Sequence, residues 1–168
     1  MIDLNNDAGA IIVGSYRYHL WRNWDRSRPR LLWVMLNPST ADATCDDPTL
    51  KRCIAFSKRW GFGGLEVVNL FAYRATVPEE LYRADDPIGG WNDCYLISAA
   101  KHAPEIVVAW GAHGVYQGRD RAVLSLLRRY AAHPLACLDT LLYGSPRHPL
   151  YVASDNLPQP YRRLAAIA

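Results

Sequence analysis

Four short apolar runs constrain the fold of this chain more than any other feature. Leu31-Leu32-Trp33-Val34-Met35-Leu36 is apolar at every position, the signature of a strand covered on both faces. It ends at Asn37-Pro38, because proline has no N–H to carry a ladder further. Leu65–Leu70, Glu105–Trp110 and Leu135–Leu138 are the other runs. Helical signals separate them. Asp47-Pro48-Thr49 reads as an N-cap followed by proline in the first turn, with Leu50, Cys53, Ile54 and Trp60 as the apolar stripe and Gly61 as the stop. Further helices are predicted near Glu79–Arg83, over Asn92–His102 and over Arg119–Ala131. Ala10–Trp21 reads as a strand or hairpin, and the tail from Pro158 as ending in a helix. Alternating strands and helices predict an α/β fold of three layers, α/β/α. Its core is a mainly parallel four-stranded sheet, with the strand or hairpin added at the N-terminus.

The chain of 168 residues is read as a single domain over 1–168, with ordinary globular composition. No run is long enough to span a bilayer, and the first residues lack the basic and apolar regions of a signal peptide. The cysteines Cys45, Cys53, Cys94 and Cys137 show no C-x-x-C pair and no zinc or iron–sulfur spacing. They read as buried thiols in a reducing compartment, so a cytoplasmic location is expected, with no metal and no cofactor. The net charge of +3 is mild, although 16 of the 19 basic residues are arginine. Arg22, Arg26, Arg28 and Arg30 crowd one loop, and Lys51-Arg52 and Lys58-Arg59 share one helix. Either cluster could track a phosphate backbone.

In open α/β sheets ligands bind at the carboxyl ends of the strands. Asn37, Asn69, Gly111 and the turn after Leu138 all fall at that edge. Asn37-Pro38-Ser39-Thr40 brings an amide and two hydroxyls there, though these are also common turn residues. Asn69 offers a donor and an acceptor to a base edge, or else satisfies loop backbone. Ala109-Trp110-Gly111-Ala112-His113-Gly114 is a glycine-lined turn that close packing would also explain. His148 sits between Pro146 and Pro149 on what should be a rigid loop.

In this order the four elements resemble the uracil-DNA glycosylase superfamily. Leu36-Asn37-Pro38-Ser39 is similar to its first motif. Val68-Asn69 with Arg74 is similar to the strand whose asparagine reads a flipped base. Val107–Gly111 is similar to its later hydrophobic strand, and His148-Pro149 to the His-Pro of its last motif. The chain departs from these motifs at Ser39, where a glycine is usual in the most similar branch, and at Leu150, where a serine is usual. Over its whole length the chain resembles more closely the domain of unknown function 1643 family, through Leu36–Asp42, Asp47-Pro48-Thr49, Asn69-Leu70-Phe71 and Pro146–Leu150.

The superfamily resemblance implies a uracil-DNA glycosylase-like fold. It also implies hydrolysis of the N-glycosidic bond of a modified, mismatched or deaminated base, extruded from DNA. Neutral His148 would hydrogen-bond the departing base, Asn37 would hold water, and Asp42, the nearest carboxylate in sequence, would serve as base if its loop folds back. Asp46 and Asp47 are weaker candidates, since helix capping accounts for Asp47. Asn69, Ser39 and Phe71 would contact the base, with Phe71 or Tyr151 stacking. Arg74, Arg147, Arg26 and Arg28 would follow nucleic acid. Two other readings keep the same pocket: a non-catalytic nucleotide or nucleic-acid binding module, and an enzyme acting on a free modified nucleotide.

Overall fold

The computed structural model describes residues 7–162. Its strands are β1 (Ala8–Val13), β2 (Tyr16–Asn23), β3 (Arg30–Met35), β4 (Gly64–Asn69), β5 (Ile106–Val108), β6 (Leu135–Cys137) and β7 (Gln159–Pro160). Its helices are α1 (Pro48–Arg59), α2 (Pro78–Arg83), α3 (Asn92–His102) and α4 (Arg119–Tyr130). Short 3-10 segments cover Ala112–Gly118 and Pro149–Tyr151.

All seven strands form one sheet in the order β1-β2-β4-β3-β5-β6-β7. The four apolar runs are its parallel centre, β4-β3-β5-β6. The sheet is larger than the sequence predicted. The N-terminal hairpin does not stand apart, because β2 pairs antiparallel with β4. At the other edge β7 pairs antiparallel with β6, so the segment after Pro158 begins as a strand. Residues 163–168, where the tail helix was also expected, lie outside the described residues.

Alternation along the strands divides the core between two faces. Leu31, Trp33, Met35, Leu65 and Val67 pack with Leu50, Cys53 and Phe56 of α1. Leu32, Val34, Val68, Ile106 and Val108 pack with Leu96 of α3 and with Val123, Leu124 and Leu127 of α4. Helix α1 begins as its sequence predicts: the Asp47 carboxylate accepts from the Leu50 amide at 2.7 Å, and Pro48 follows in the first turn. Two of the four cysteines depart from expectation, since Cys45 and Cys94 are exposed while Cys53 and Cys137 are buried.

Within the parallel centre the chain runs from β3 outward to β4, then crosses to β5 on the other side of β3. Direction therefore reverses between β3 and β5, and adjacent loops diverge there and open a crevice at the carboxyl end. Asn37 follows β3 and Gly111 follows β5, one on each lip.

Candidate functional site

A cavity of about 440 Å³ occupies this crevice on the α1 face of the sheet. Asn37, Ser39, Asn69 and His148 all line it, so four of the residues singled out by sequence come together.

Asn69 is the last residue of β4, and alternation places its side chain on the face of Leu65 and Val67. It is 1 % exposed, and among the described residues neither its Oδ1 nor its Nδ2 has a hydrogen-bond partner. An unsatisfied buried polar atom costs about 1–3 kcal/mol, so an amide that the protein leaves without partners is a natural place for a group from outside the chain. The backbone around Asn69 is firmly fixed. Asn92 Nδ2 donates to the Asn69 and Leu70 carbonyls at 3.0 and 2.9 Å. Arg119 Nε donates to the Leu70 carbonyl at 2.7 Å, and Arg119 also pairs with Asp93. Neither Asn92 nor Arg119 was picked out by sequence, because nothing in a helix start or a helical arginine announces a distant strand end.

Asn37 donates through Nδ2 to the carbonyls of Pro38 and Ala75, at 3.0 and 2.8 Å. Two carbonyl acceptors fix the amide orientation, and leave Asn37 its Oδ1 as the atom to offer a water or ligand.

The loop carrying His148 is tied down from several sides. The Gly111 amide donates to the Pro146 carbonyl at 2.8 Å and the Arg147 amide to the Asp139 carbonyl at 2.8 Å. From α1, Arg52 donates to the carbonyls of Pro149 and Val152 and to Ser154 Oγ. Gly111 has φ +76°, and a Cβ there would lie 3.7 Å from His148 Cβ, so glycine serves this turn by its backbone conformation more than by its size. His148 Nδ1 accepts from the Leu150 amide at 3.3 Å. In a neutral imidazole the proton must then sit on Nε2, leaving a donor. Burial pulls the His148 pKa below its ordinary value, with the Asp47 carboxylate opposing, so the ring is neutral at pH 7.

The other expected site residues lie elsewhere. Asp42 does not line the cavity. Its Oδ1 accepts from the Thr44 and Cys45 amides at 2.8 Å each, a turn-capping role whose hydrogen bonds hold the carboxyl below its usual range. The carboxylate that does line the cavity is Asp47, the helix cap. Phe71 is 0 % exposed in the core facing α3 and α4, with its ring 5.8 Å from that of Tyr116; the strand ends at Asn69, alternation lapses, and Phe71 turns to the opposite face. Arg147 pairs with Asp139 at 3.0 Å, outside the cavity lining. Arg26 and Arg28 line a separate cavity beside the amino ends of β3 and β4, and pair with Asp7 and Asp25. Of the other clustered arginines, Arg22 is held by Asp46 and Arg30 by Glu66, while Arg52 and Arg59 bond the backbone of the 149–154 segment. Arg74 is not among the lining residues, but its Nε lies 3.5 Å from the carbonyl of Ser39, which is. Tyr151 lines the cavity beside His148, at 5.8 Å between ring centres.

Sequence reasoning missed two further lining residues. His113 accepts or donates through Nδ1 to the Tyr82 hydroxyl at 2.6 Å. Arg17, from β2, is 4 % exposed. Burial pulls its guanidinium down to about 10 while Asp47 opposes, so it remains a cation at pH 7. Cys53 also lines the cavity, but burial pushes its thiol far up, which removes the thiolate a nucleophile would need.

Among the described residues, no three His, Cys, Asp or Glu side chains are grouped to hold a metal ion, and no helix is long and apolar enough to cross a membrane. No curated protein and no solved structure matches the chain. A family model described as a protein of unknown function matches residues 17–150, and the chain therefore belongs to the DUF1643 family.

Proposed function

We propose that the cavity receives a nucleobase and that the protein hydrolyses the N-glycosidic bond of a modified, mismatched or deaminated nucleotide in DNA, in a uracil-DNA glycosylase-like fold. The observation that carries this reading is Asn69: a rigidly held, buried amide with both its donor and its acceptor unsatisfied, lining a cavity with His148 and Asn37. A base edge with a neighbouring acceptor and donor satisfies such an amide at once.

The chemistry divides among the lining residues. As the bond from base to sugar breaks, its electron pair leaves with the base and positive charge develops on the sugar. The Nε2–H of neutral His148 stabilises the anionic base as a preorganised donor. Asn37 Oδ1 accepts a hydrogen bond from the attacking water. Asp47 takes that water's proton as its oxygen bonds to the sugar carbon; it is the one carboxylate among the described lining residues.

Oligonucleotides carrying uracil, hypoxanthine or a mismatch, incubated with the protein and then cleaved at abasic sites, test the reading. Strand scission dependent on both Asn69 and His148 is the expected result. No base release and no binding across the panel would refute it. A second reading, action on a free nucleotide, is favoured by Arg26 and Arg28, which lie away from the cavity and are paired with acids. Release of free base from mononucleotides but not from oligonucleotides would select it.

A further inference from the structure

Among the described residues three arginines are at least nine-tenths buried, and two of them are well supplied with acceptors. Arg22 bonds the Asp46 carboxylate and the carbonyls of Trp21 and Asp42. Arg119 bonds the Leu70 carbonyl and Asp93. Arg17 differs. Its Nη1 donates to the Ala41 carbonyl at 2.6 Å, its Nε is buried with no partner, and among the described residues no carboxylate is in ion-pair range of it. A buried cation with a single carbonyl acceptor is an expensive arrangement unless an anion completes it.

The backbone shows how Arg17 reaches the cavity. Between β1 and β2 the register runs Ala10↔Leu20 and Ile11↔His19, then shifts so that Ile12 faces Arg17. Tyr18 is therefore an extra residue, a β-bulge. Leu20 packs in the α1-face core, and simple alternation would send Tyr18 to that face and Arg17 away from it. Instead the Tyr18 ring stacks on Tyr95 of α3 at 5.3 Å, and His19 bonds Glu66 at 2.9 Å and also lies against Tyr95. Alternation restarts at Arg17, which falls on the α1 face and lines the cavity. Bulges are enriched beside active sites because they re-aim a side chain in this way.

We propose that Arg17 is the anion-binding residue of the cavity, taking a phosphate oxygen of the nucleotide whose base Asn69 reads. This rests on the nucleotide reading given above. Arg74, in contact with the carbonyl of the lining residue Ser39, supports it. It too has no carboxylate in ion-pair range among the described residues, and its charge acts against that of Arg17, so a phosphate near both relieves their repulsion. A planar guanidinium with free N–H groups suits a phosphate oxygen better than a lysine ammonium does.

The test is calorimetric titration with deoxynucleosides, their 5′-monophosphates and inorganic phosphate, on wild type, Arg17→Gln and Asn69→Leu. Wild type should bind a monophosphate about tenfold or more tighter than its nucleoside, the range of one charge-assisted hydrogen bond. Arg17→Gln should erase that difference and leave the nucleoside's affinity unchanged, whereas Asn69→Leu should weaken both by the same factor. Equal binding of nucleoside and monophosphate by wild type would overturn the assignment while leaving the base reading standing. Arg17-dependent binding of inorganic phosphate, with no binding of any nucleoside or nucleotide, would keep the anion site and end the base reading. If Arg17→Gln does not fold, the Arg17 Nε–H resonance of wild type decides: it should shift on adding phosphate but not chloride, and an unmoved resonance overturns the assignment.

Discussion

Two buried asparagines meet at the end of β4, and replacing each with leucine should move stability in opposite directions. Asn69 is 1 % exposed and Asn92 is 0 % exposed, and leucine matches asparagine in branching and in side-chain heavy atoms. Asn92 donates two hydrogen bonds, to the Asn69 and Leu70 carbonyls. Removing them deprives two buried carbonyls of a donor, although the Leu70 oxygen keeps its bond from Arg119 and the unpartnered Asn92 Oδ1 is removed as well. Each such deficit is worth about 1–3 kcal/mol, so Asn92→Leu should destabilise by about 1–3 kcal/mol. The Asn69 side chain makes no hydrogen bond to any described residue. Asn69→Leu removes two unsatisfied atoms and adds apolar surface beside Val67, and should stabilise by about 1–2 kcal/mol, the low end of the penalty, since the neighbouring cavity leaves leucine incompletely packed. For a chain of this length each kcal/mol shifts Tm by about 2–4 °C. Urea denaturation with unchanged m-values would measure both. The same Asn69→Leu variant should lose ligand binding, as expected where a site holds groups for a ligand rather than for the fold. A loss of stability in Asn69→Leu as large as that in Asn92→Leu would show that the Asn69 amide is already satisfied in the free protein, and the argument from its orphaned atoms would fail.

Four further outcomes follow from the site. His148→Ala should lower base release by about 10²–10³ through loss of a preorganised donor, measured as single-turnover rate. Because burial depresses the pKa of His148 in the folded state, the unfolded chain binds its proton first. The stability of wild type relative to His148→Gln is thus fully present above the ordinary imidazole pKa of about 6.5 and is lost as pH falls through the depressed folded value, which denaturation between about pH 7.5 and 5 will register. Asp47→Asn keeps a good helix cap but removes the carboxylate, and should slow turnover by about 10²–10⁴ with little change in Tm, while Asp42→Asn leaves the rate near wild type. Arg52→Ala frees the carbonyls of Pro149 and Val152, and should speed amide hydrogen exchange in the 148–154 segment by about tenfold or more while exchange in β3 stays unchanged.

The parallel centre was legible because its strands are covered on both faces, and a short, largely apolar run bounded by turn residues fits little else. Helix α1 was legible because Asp47-Pro48 combines a cap with a residue that tolerates the first turn and little beyond it. The carboxyl-edge placement of Asn37 and Asn69 followed from the same strands. What sequence could not supply was anything set by register or by turns. The bulge at Tyr18 leaves no mark in composition, so Arg17 read as one more residue of an N-terminal strand. Asp42 was favoured over Asp47 on closeness in sequence to Asn37, yet the loop folds its carboxylate onto the Thr44 and Cys45 amides. Phe71 would share a face with Asn69 only if β4 continued, and β4 ends at Asn69.

Size alone does not single out the cavity at the carboxyl end of the sheet. The one beside the amino ends of β3 and β4 is the larger, at about 730 Å³, and it holds two histidines, a glutamate and three arginines. Its charges are answered from within. Burial would raise the Glu66 carboxyl, but hydrogen bonds from His19 at 2.9 Å and Arg30 at 3.1 Å outweigh it and keep the group ionised. Arg26 and Arg28 have their own acids. At the carboxyl end the balance is different, since Asn69 and Arg17 are buried as deeply as core residues and still hold polar atoms that nothing among the described residues satisfies. Evolution removes such atoms readily, because apolar replacements of similar shape are neutral or stabilising. Three such atoms on two residues that line one crevice, at the carboxyl end of the parallel strands, point to a ligand that supplies the missing partners.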